Sequence, residues 1–173
     1  VVTLVLGGAR SGKSAVAERL AAAAGRPVTY VATLDLAAGV AEGDDDLARR
    51  VAAHRARRPP EWRTVEPAAW GAAGLPAFLR GVSGTVLVDA LGPWVACAAG
   101  FAVDAAGLCA ALRERAGDSV VVSEEVGLGV HPVTADGRRF RDALGEVNQA
   151  VAAVADRVLL VVAGRVLHLE APA

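Results

Sequence analysis

The sequence predicts an α/β fold, a mostly parallel sheet with helices on both faces and a C-terminal antiparallel hairpin. Three observations predict it. Short β-branched apolar runs alternate with alanine- and leucine-rich segments of helical spacing, the alternation that builds parallel sheets. A glycine-rich turn separates the first apolar run from the first helical segment. The last two apolar runs are separated only by Gly164 and Arg165, a hairpin connection that adds an antiparallel edge strand.

Taken in order, residues 2–6 are apolar and β-branched and stop at Gly7 and Gly8, which reads as a strand. Val16 and Leu20 lie four apart in an alanine-rich stretch, predicting a helix over 14–24. A turn at Gly25, Arg26 and Pro27 leads to a second strand over 28–32. Asp44, Asp45 and Asp46 suit the start of a helix over 47–56, which Pro59 and Pro60 terminate. A short extended piece over 62–65 and a helix over 68–80 follow. Residues 85–89 and 119–123 read as buried strands, with helices over 91–99 and 104–116. Phe140, Leu144, Val147, Val151 and Val154 recur three and four apart, marking one face of a long helix over 138–155. Strands over 158–163 and 166–169 close the chain.

The 173 residues have the length of one domain, spanning 1–173. The hydrophobic fraction is 54%, yet it is spread in short runs, so no membrane span is expected. The N-terminal residues lack the basic region of a secretory signal, and a cytoplasmic protein is expected. Cys97 and Cys109 are expected to be buried free thiols without chemistry. With a formal charge of -1 and 4% aromatics, the chain is a poor nucleic-acid binder. Arg49, Arg50, Arg55, Arg57, Arg58 and Arg63 nevertheless make a local basic stretch that needs an explanation.

Gly7-Gly8-Ala9-Arg10-Ser11-Gly12-Lys13-Ser14 has the spacing of a phosphate-binding loop, and it falls between a strand and a helix as that loop must. Glycines let the backbone curl until its N–H groups point at phosphate oxygens, and the helix N-terminus adds partial positive charge. Lys13 is then placed to reach the β and γ phosphates, and the Ser14 hydroxyl to ligate Mg²⁺. Lys13 is the chain's only lysine; every other strong base is arginine. Asp89 ends a predicted strand, as does the second acidic group that holds Mg²⁺ in P-loop enzymes. An ordinary strand-end carboxylate capping the next helix is the alternative.

Beyond the loop, several blocks together resemble one family: the bifunctional adenosylcobinamide kinase and adenosylcobinamide-phosphate guanylyltransferase of cobalamin synthesis. The blocks are the loop itself, Tyr30-Val31-Ala32-Thr33, Arg50-Val51 with His54, Glu61-Trp62-Arg63-Thr64-Val65-Glu66, and Asp89 with Trp94-Val95. Glu125-Val126-Gly127-Leu128-Gly129-Val130 with Pro132, Arg139-Phe140-Arg141-Asp142 with Gly145, and Val147-Asn148-Gln149 complete them. The resemblance implies a P-loop, RecA-like fold, a homotrimer, and two reactions. A nucleoside triphosphate, GTP or ATP, first phosphorylates the corrinoid alcohol with Mg²⁺. GTP then gives GMP to a histidine, and the corrinoid phosphate takes it to form adenosylcobinamide-GDP.

His54 matches the guanylylated histidine of the family. On the residues alone, a histidine among arginines reads as a solvated helix position. The resemblance further places Ala32, Thr33, Leu34, Arg55, Ala56, Arg57, Arg58 and Glu66 around the nucleotide, where the arginines screen phosphate charge. Arg139 and Arg141 fit a phosphate or subunit contact, with an Arg141–Asp142 pairing as the structural alternative. Two positions depart from the family pattern: Glu124 replaces an Asn before Glu-Val-Gly, and Ala96-Cys97 replaces Ser-Asn. The added carboxylate is expected to bear on metal or substrate preference. Two rival functions share the loop. One is a P-loop kinase of another small alcohol without guanylyl transfer, and the other a non-enzymatic RecA-like assembly module.

Overall fold

The computed structural model describes residues 1–25, 27–34, 58–66 and 71–171. In chain order these form β1 (Val2–Gly7), α1 (Lys13–Ala24), β2 (Val28–Ala32), β3 (Arg63–Val65), α2 (Gly71–Arg80), β4 (Thr85–Asp89) and α3 (Leu91–Ala96). After a 3₁₀ turn at Ala99–Phe101 come α4 (Ala105–Glu114), β5 (Ser119–Glu124), α5 (Ala135–Ala152), β6 (Arg157–Val162) and β7 (Arg165–Leu169). The helix predicted over 47–56 lies outside the described residues.

Among the described residues the strands make one sheet in the order β3-β2-β4-β5-β1-β6-β7. All neighbours are parallel except β6 and β7, so the predicted closing hairpin is present. β1 is central. Gly7 stands opposite Glu124 on one side and Val161 on the other, which sets the glycine turn at the carboxyl ends of the strands. In open α/β sheets that end is where ligands bind.

Side-chain parity divides the sheet into two faces. Val2, Leu4 and Leu6 join Val31, Val86, Val88 and Val121 in a core under α2, α3, α4 and α5, with Leu75, Trp94, Leu108 and Leu144 fully packed. Val5, Tyr30, Leu87, Val120 and Val122 turn the other way and pack on Val16, Ala17 and Ala21 of α1. The same parity carries Asp89 and Glu124 to the α1 face, because each is two residues beyond a member of that second core.

Caps account for several differences from expectation. Thr134 Oγ1 accepts from Gly137 N at 3.0 Å, so α5 starts at Ala135 and ends at Ala152, about a turn earlier than its apolar stripe suggests. Asp104 caps α4 by accepting from Gly107 N at 2.7 Å. The helix expected over 91–99 stops at Ala96, and Gly100, with φ 62°, turns the chain into the 3₁₀ segment. That early stop corrects the expectation for the cysteines. Both thiols are free, but only Cys109 is buried, while Cys97 is exposed.

Arg115 ties three elements together. Its guanidinium donates to the carbonyls of Leu79 at 3.1 Å, Val82 at 2.6 Å and Gly84 at 2.6 Å, and to Ser119 Oγ at 3.1 Å. Arg115→Ala would take the side-chain donor from the part-buried carbonyls of Val82 and Gly84 at the entry to β4, while Leu79 O keeps its backbone donor, Val82 N. A loss of about 3 kcal/mol in urea unfolding is expected, with nucleotide affinity unchanged because the residue lies at the amino ends of the strands.

Candidate functional site

The turn between β1 and α1 is held by backbone contacts from three directions. Ser11 N donates to Gly8 O at 3.3 Å, Glu125 N to Gly7 O at 3.1 Å, and Gly164 N to Ser11 O at 2.8 Å. Gly12, the residue before α1, has φ 93°, a left-handed conformation that costs a side chain strain. At Gly7 an added Cβ would meet Ser11 Oγ at 2.5 Å and Val161 O at 2.8 Å. Neither glycine tolerates substitution, and the two fix where the turn begins and where the helix starts.

Ala9, Arg10 and Gly12 are exposed, Gly8, Lys13 and Ser14 half-buried, and Ser11 buried. Arg10 has φ 56°, consistent with a tightly curled loop. Lys13 N donates to Ser11 Oγ at 3.3 Å, and Lys13 Nζ lies 3.4 Å from Gly8 O. The ammonium therefore arches back over the turn that its own backbone helps to form.

Ser14 Oγ donates to Asp89 Oδ1 at 3.3 Å. A helix-start hydroxyl and a strand-end carboxylate thus converge, a donor set of hard oxygens that suits Mg²⁺. Tyr30 OH donates to Asp89 Oδ2 at 2.6 Å, so both carboxylate oxygens are engaged. Burial, and then the Asp89 carboxylate, push the Tyr30 hydroxyl well above its ordinary pKa; it stays protonated and remains a donor.

Glu124 enters from the strand between β1 and β4. Its Oε1 lies 3.7 Å from Lys13 Nζ and its Oε2 accepts from Gly92 N at 2.9 Å. A Cβ on Gly92 would collide with that same Oε2, so the glycine at the start of α3 makes room for the carboxylate. Below, Asn148 Nδ2 donates to Glu124 O at 3.1 Å. Burial raises the Glu124 pKa, and Lys13 only partly offsets this. A carboxyl whose folded pKa is raised loses stability as pH climbs through it, whereas a Gln does not. Glu124→Gln should therefore melt higher than the parent at pH 7, and a pH series of melts should show the gap closing below about pH 4, where Glu is protonated folded or unfolded.

Of the residues expected around the nucleotide, Arg58 is described. Its guanidinium carbon sits 3.4 Å from the Tyr30 ring centroid, a cation–π contact, and its Nε is buried without a hydrogen-bond partner among the described residues. Ala32, Leu34 and Glu66 are half-buried. Thr33 is buried and its hydroxyl is committed to the Ala90 backbone, accepting from Ala90 N at 2.9 Å and donating to Ala90 O. It braces the end of β4. His54, Arg55, Ala56 and Arg57 lie outside the described residues. Arg141 takes its structural alternative, bonding Asp142 Oδ1 at 2.7 Å, and Arg139 pairs with Asp136.

This loop and fold can be set beside known proteins. A family model described as cobinamide kinase / cobinamide phosphate guanyltransferase matches residues 3–169. The chain belongs to this family. The bifunctional adenosylcobalamin biosynthesis protein CobP of Pseudomonas aeruginosa is 42% identical over 177 residues, spanning 96% of each chain. The proteins of the same description called CobU in Salmonella typhimurium and Escherichia coli are 37% and 35% identical, each covering 95% of this chain and 97% of the relative. The flagellar accessory protein FlaH of Methanocaldococcus jannaschii shares the fold alone. That structure superposes with a TM-score of 0.51 at 13% identity, covering 95% of this chain and 74% of its own.

Within the cobinamide kinase/guanyltransferase family fold, three contributors to the site carry little signal in the sequence. Tyr30 stands in an apolar strand, and only its parity with Asp89 hints that the hydroxyl and the carboxylate share a face. Gly92 looks like a helix-start residue until the carboxylate above it is seen. The Lys13–Glu124 pair joins positions far apart in the chain. No helix among the described residues is long and apolar enough to cross a membrane.

Proposed function

We propose that both reactions of the family run on a nucleotide held by the turn from Gly7 to Ser14, with Lys13 and His54 as the catalytic residues. The observation that carries this reading is the convergence of Lys13 Nζ, Ser14 Oγ and Asp89 at the carboxyl end of the sheet, ahead of the α1 N-terminus. The backbone N–H groups of Ala9 to Ser14 cradle phosphate oxygens, Lys13 offsets the charge on the γ-phosphoryl, and Ser14 and Asp89 hold Mg²⁺. When bound, Mg²⁺ supplies charge neutralisation on the phosphates. Phosphoryl transfer asks the protein chiefly for positioning and charge stabilisation, with a group near the acceptor hydroxyl to take its proton.

For the second reaction, the His54 imidazole attacks the α-phosphorus of GTP, pyrophosphate leaves, and a phosphoramidate bond to GMP remains. A phosphate oxygen of adenosylcobinamide phosphate then displaces the histidine and forms adenosylcobinamide-GDP. Arg58, four residues beyond His54, supports this reading by lying on the ring of Tyr30, whose hydroxyl bonds Asp89. Arg55 and Arg57 join it around the departing pyrophosphate. GTP serves the transfer, and GTP or ATP the kinase step. The chain acts as a single domain, in the cytoplasm and as a homotrimer, which sedimentation at micromolar concentration checks.

Incubation with GTP labelled at the α-phosphate, followed by digestion, should yield one acid-labile, base-stable labelled peptide containing His54. Absence of label, with phosphorylation of adenosylcobinamide intact, would leave a plain kinase.

A further inference from the structure

We propose that in this chain Glu124, which stands where the family pattern has Asn, accepts the proton of the acceptor hydroxyl during phosphoryl transfer, an inference that rests on the nucleotide reading of the glycine turn. Strand order places this carboxylate. β5 lies between β1, which carries the phosphate loop, and β4, which carries Asp89, so the last residue of β5 emerges between the two groups that handle the nucleotide. Within the side chain the two oxygens have separate surroundings. Oε2 is fixed by Gly92 N at 2.9 Å, while Oε1 faces Lys13 Nζ at 3.7 Å, the ammonium that meets the transferred phosphoryl group. The side chain is 28% exposed, which leaves a path for an incoming alcohol. Lys13 favours the ionised form, and burial keeps that form more basic than a surface carboxylate. A base must be both ionised and willing to take a proton.

The step balances. The hydroxyl oxygen of the acceptor bonds to the γ-phosphorus, the bond from that phosphorus to the β–γ bridging oxygen breaks, and the nucleoside diphosphate leaves. The hydroxyl proton passes to Glu124 Oε1 and from there to water. Guanylyl transfer has no such need, because its acceptor is a phosphate oxygen that is already anionic. A residue that only held Lys13 in place would serve both reactions alike, and this difference separates catalysis from support.

Glu124→Gln keeps the acceptor for Gly92 N–H and removes the base. Phosphorylation of adenosylcobinamide and guanylyl transfer to separately supplied adenosylcobinamide phosphate are measured side by side. General-base loss predicts a kinase kcat lower by about 10²-fold or more, with the ratio of kinase to transferase rates falling by a similar factor. Glu124→Asp, which retains a carboxylate, should recover part of the kinase rate. Equal losses in both reactions, an unaffected kinase, or no recovery in the Asp variant would each overturn the proposal. Failure of the underlying reading shows separately, as unchanged GTP affinity in Lys13→Ala.

Discussion

Lys13→Ala should lower both phosphorylation and guanylyl transfer by on the order of 10³-fold, the scale seen when a preorganised charge stabiliser is removed from a reacting centre. Two features make the expected effect large. The side chain is only 13% exposed, so its charge acts where water screens little. Its removal also strands the Glu124 carboxylate, which would then face the phosphates with no cation between. Lys13→Arg should not restore the activity, since a planar fork does not fit a turn shaped around a compact ammonium. Single-turnover assays of both reactions, with melting curves as the control for folding, test this. Because the sequence holds one lysine, a lysine-selective acylating reagent offers an independent reading. Apart from the terminal amine it has one target, and a bound nucleotide should protect it.

His54→Asn should abolish the covalent GMP adduct and reduce guanylyl transfer by on the order of 10⁴-fold or more, as removal of a nucleophile does elsewhere, while phosphorylation of adenosylcobinamide changes by less than about threefold. The asymmetry follows from the chemistry. Phosphoryl transfer goes directly from nucleotide to alcohol and involves no enzyme bond, whereas the transfer of GMP passes through one. Asn preserves polarity and approximate size without a nucleophilic nitrogen. A His54→Asn protein that still acquires label from α-labelled GTP would assign the adduct to another residue. His131 is the first to examine, being exposed at the other side of the loop after β5, where its ring meets Arg141.

Much of this architecture was legible in the residues because local signals and burial coincide. The strands over 28–32 and 85–89 were bounded by glycine, proline or a terminal carboxylate, and both appear with those bounds. The curled turn from Gly7 to Ser14 between β1 and α1 was legible for the same reason, since its spacing is itself the geometry. Strand order was not, because apolar runs buried on both faces do not say which neighbour they take. β1 and β2, consecutive in the chain, are separated in the sheet by β4 and β5, and only this order brings Glu124 to Lys13. Helix ends shifted where a cap outweighed the apolar stripe, as Thr134 does for α5. Cys97 was expected inside from its apolar surroundings, yet a helix six residues long turns only part of its circumference to the core. The histidine of the second reaction rests on its match to the family, because a ring among arginines has no spacing of its own to declare a role.

The contact from Gly164 N to Ser11 O has a bearing on how the enzyme is made. β1 finds both its partners far downstream, at Ser119–Glu124 and Arg157–Val162, and the turn that follows it is pinned by Gly164. A chain still on the ribosome carries the whole glycine turn early, but lacks the parts that shape it. Competence to hold a nucleotide should therefore be acquired only once the chain through residue 164 has left the ribosome. Ribosome-bound chains stalled before residue 164 is released from the exit tunnel should show no nucleotide capture, and those stalled after it should.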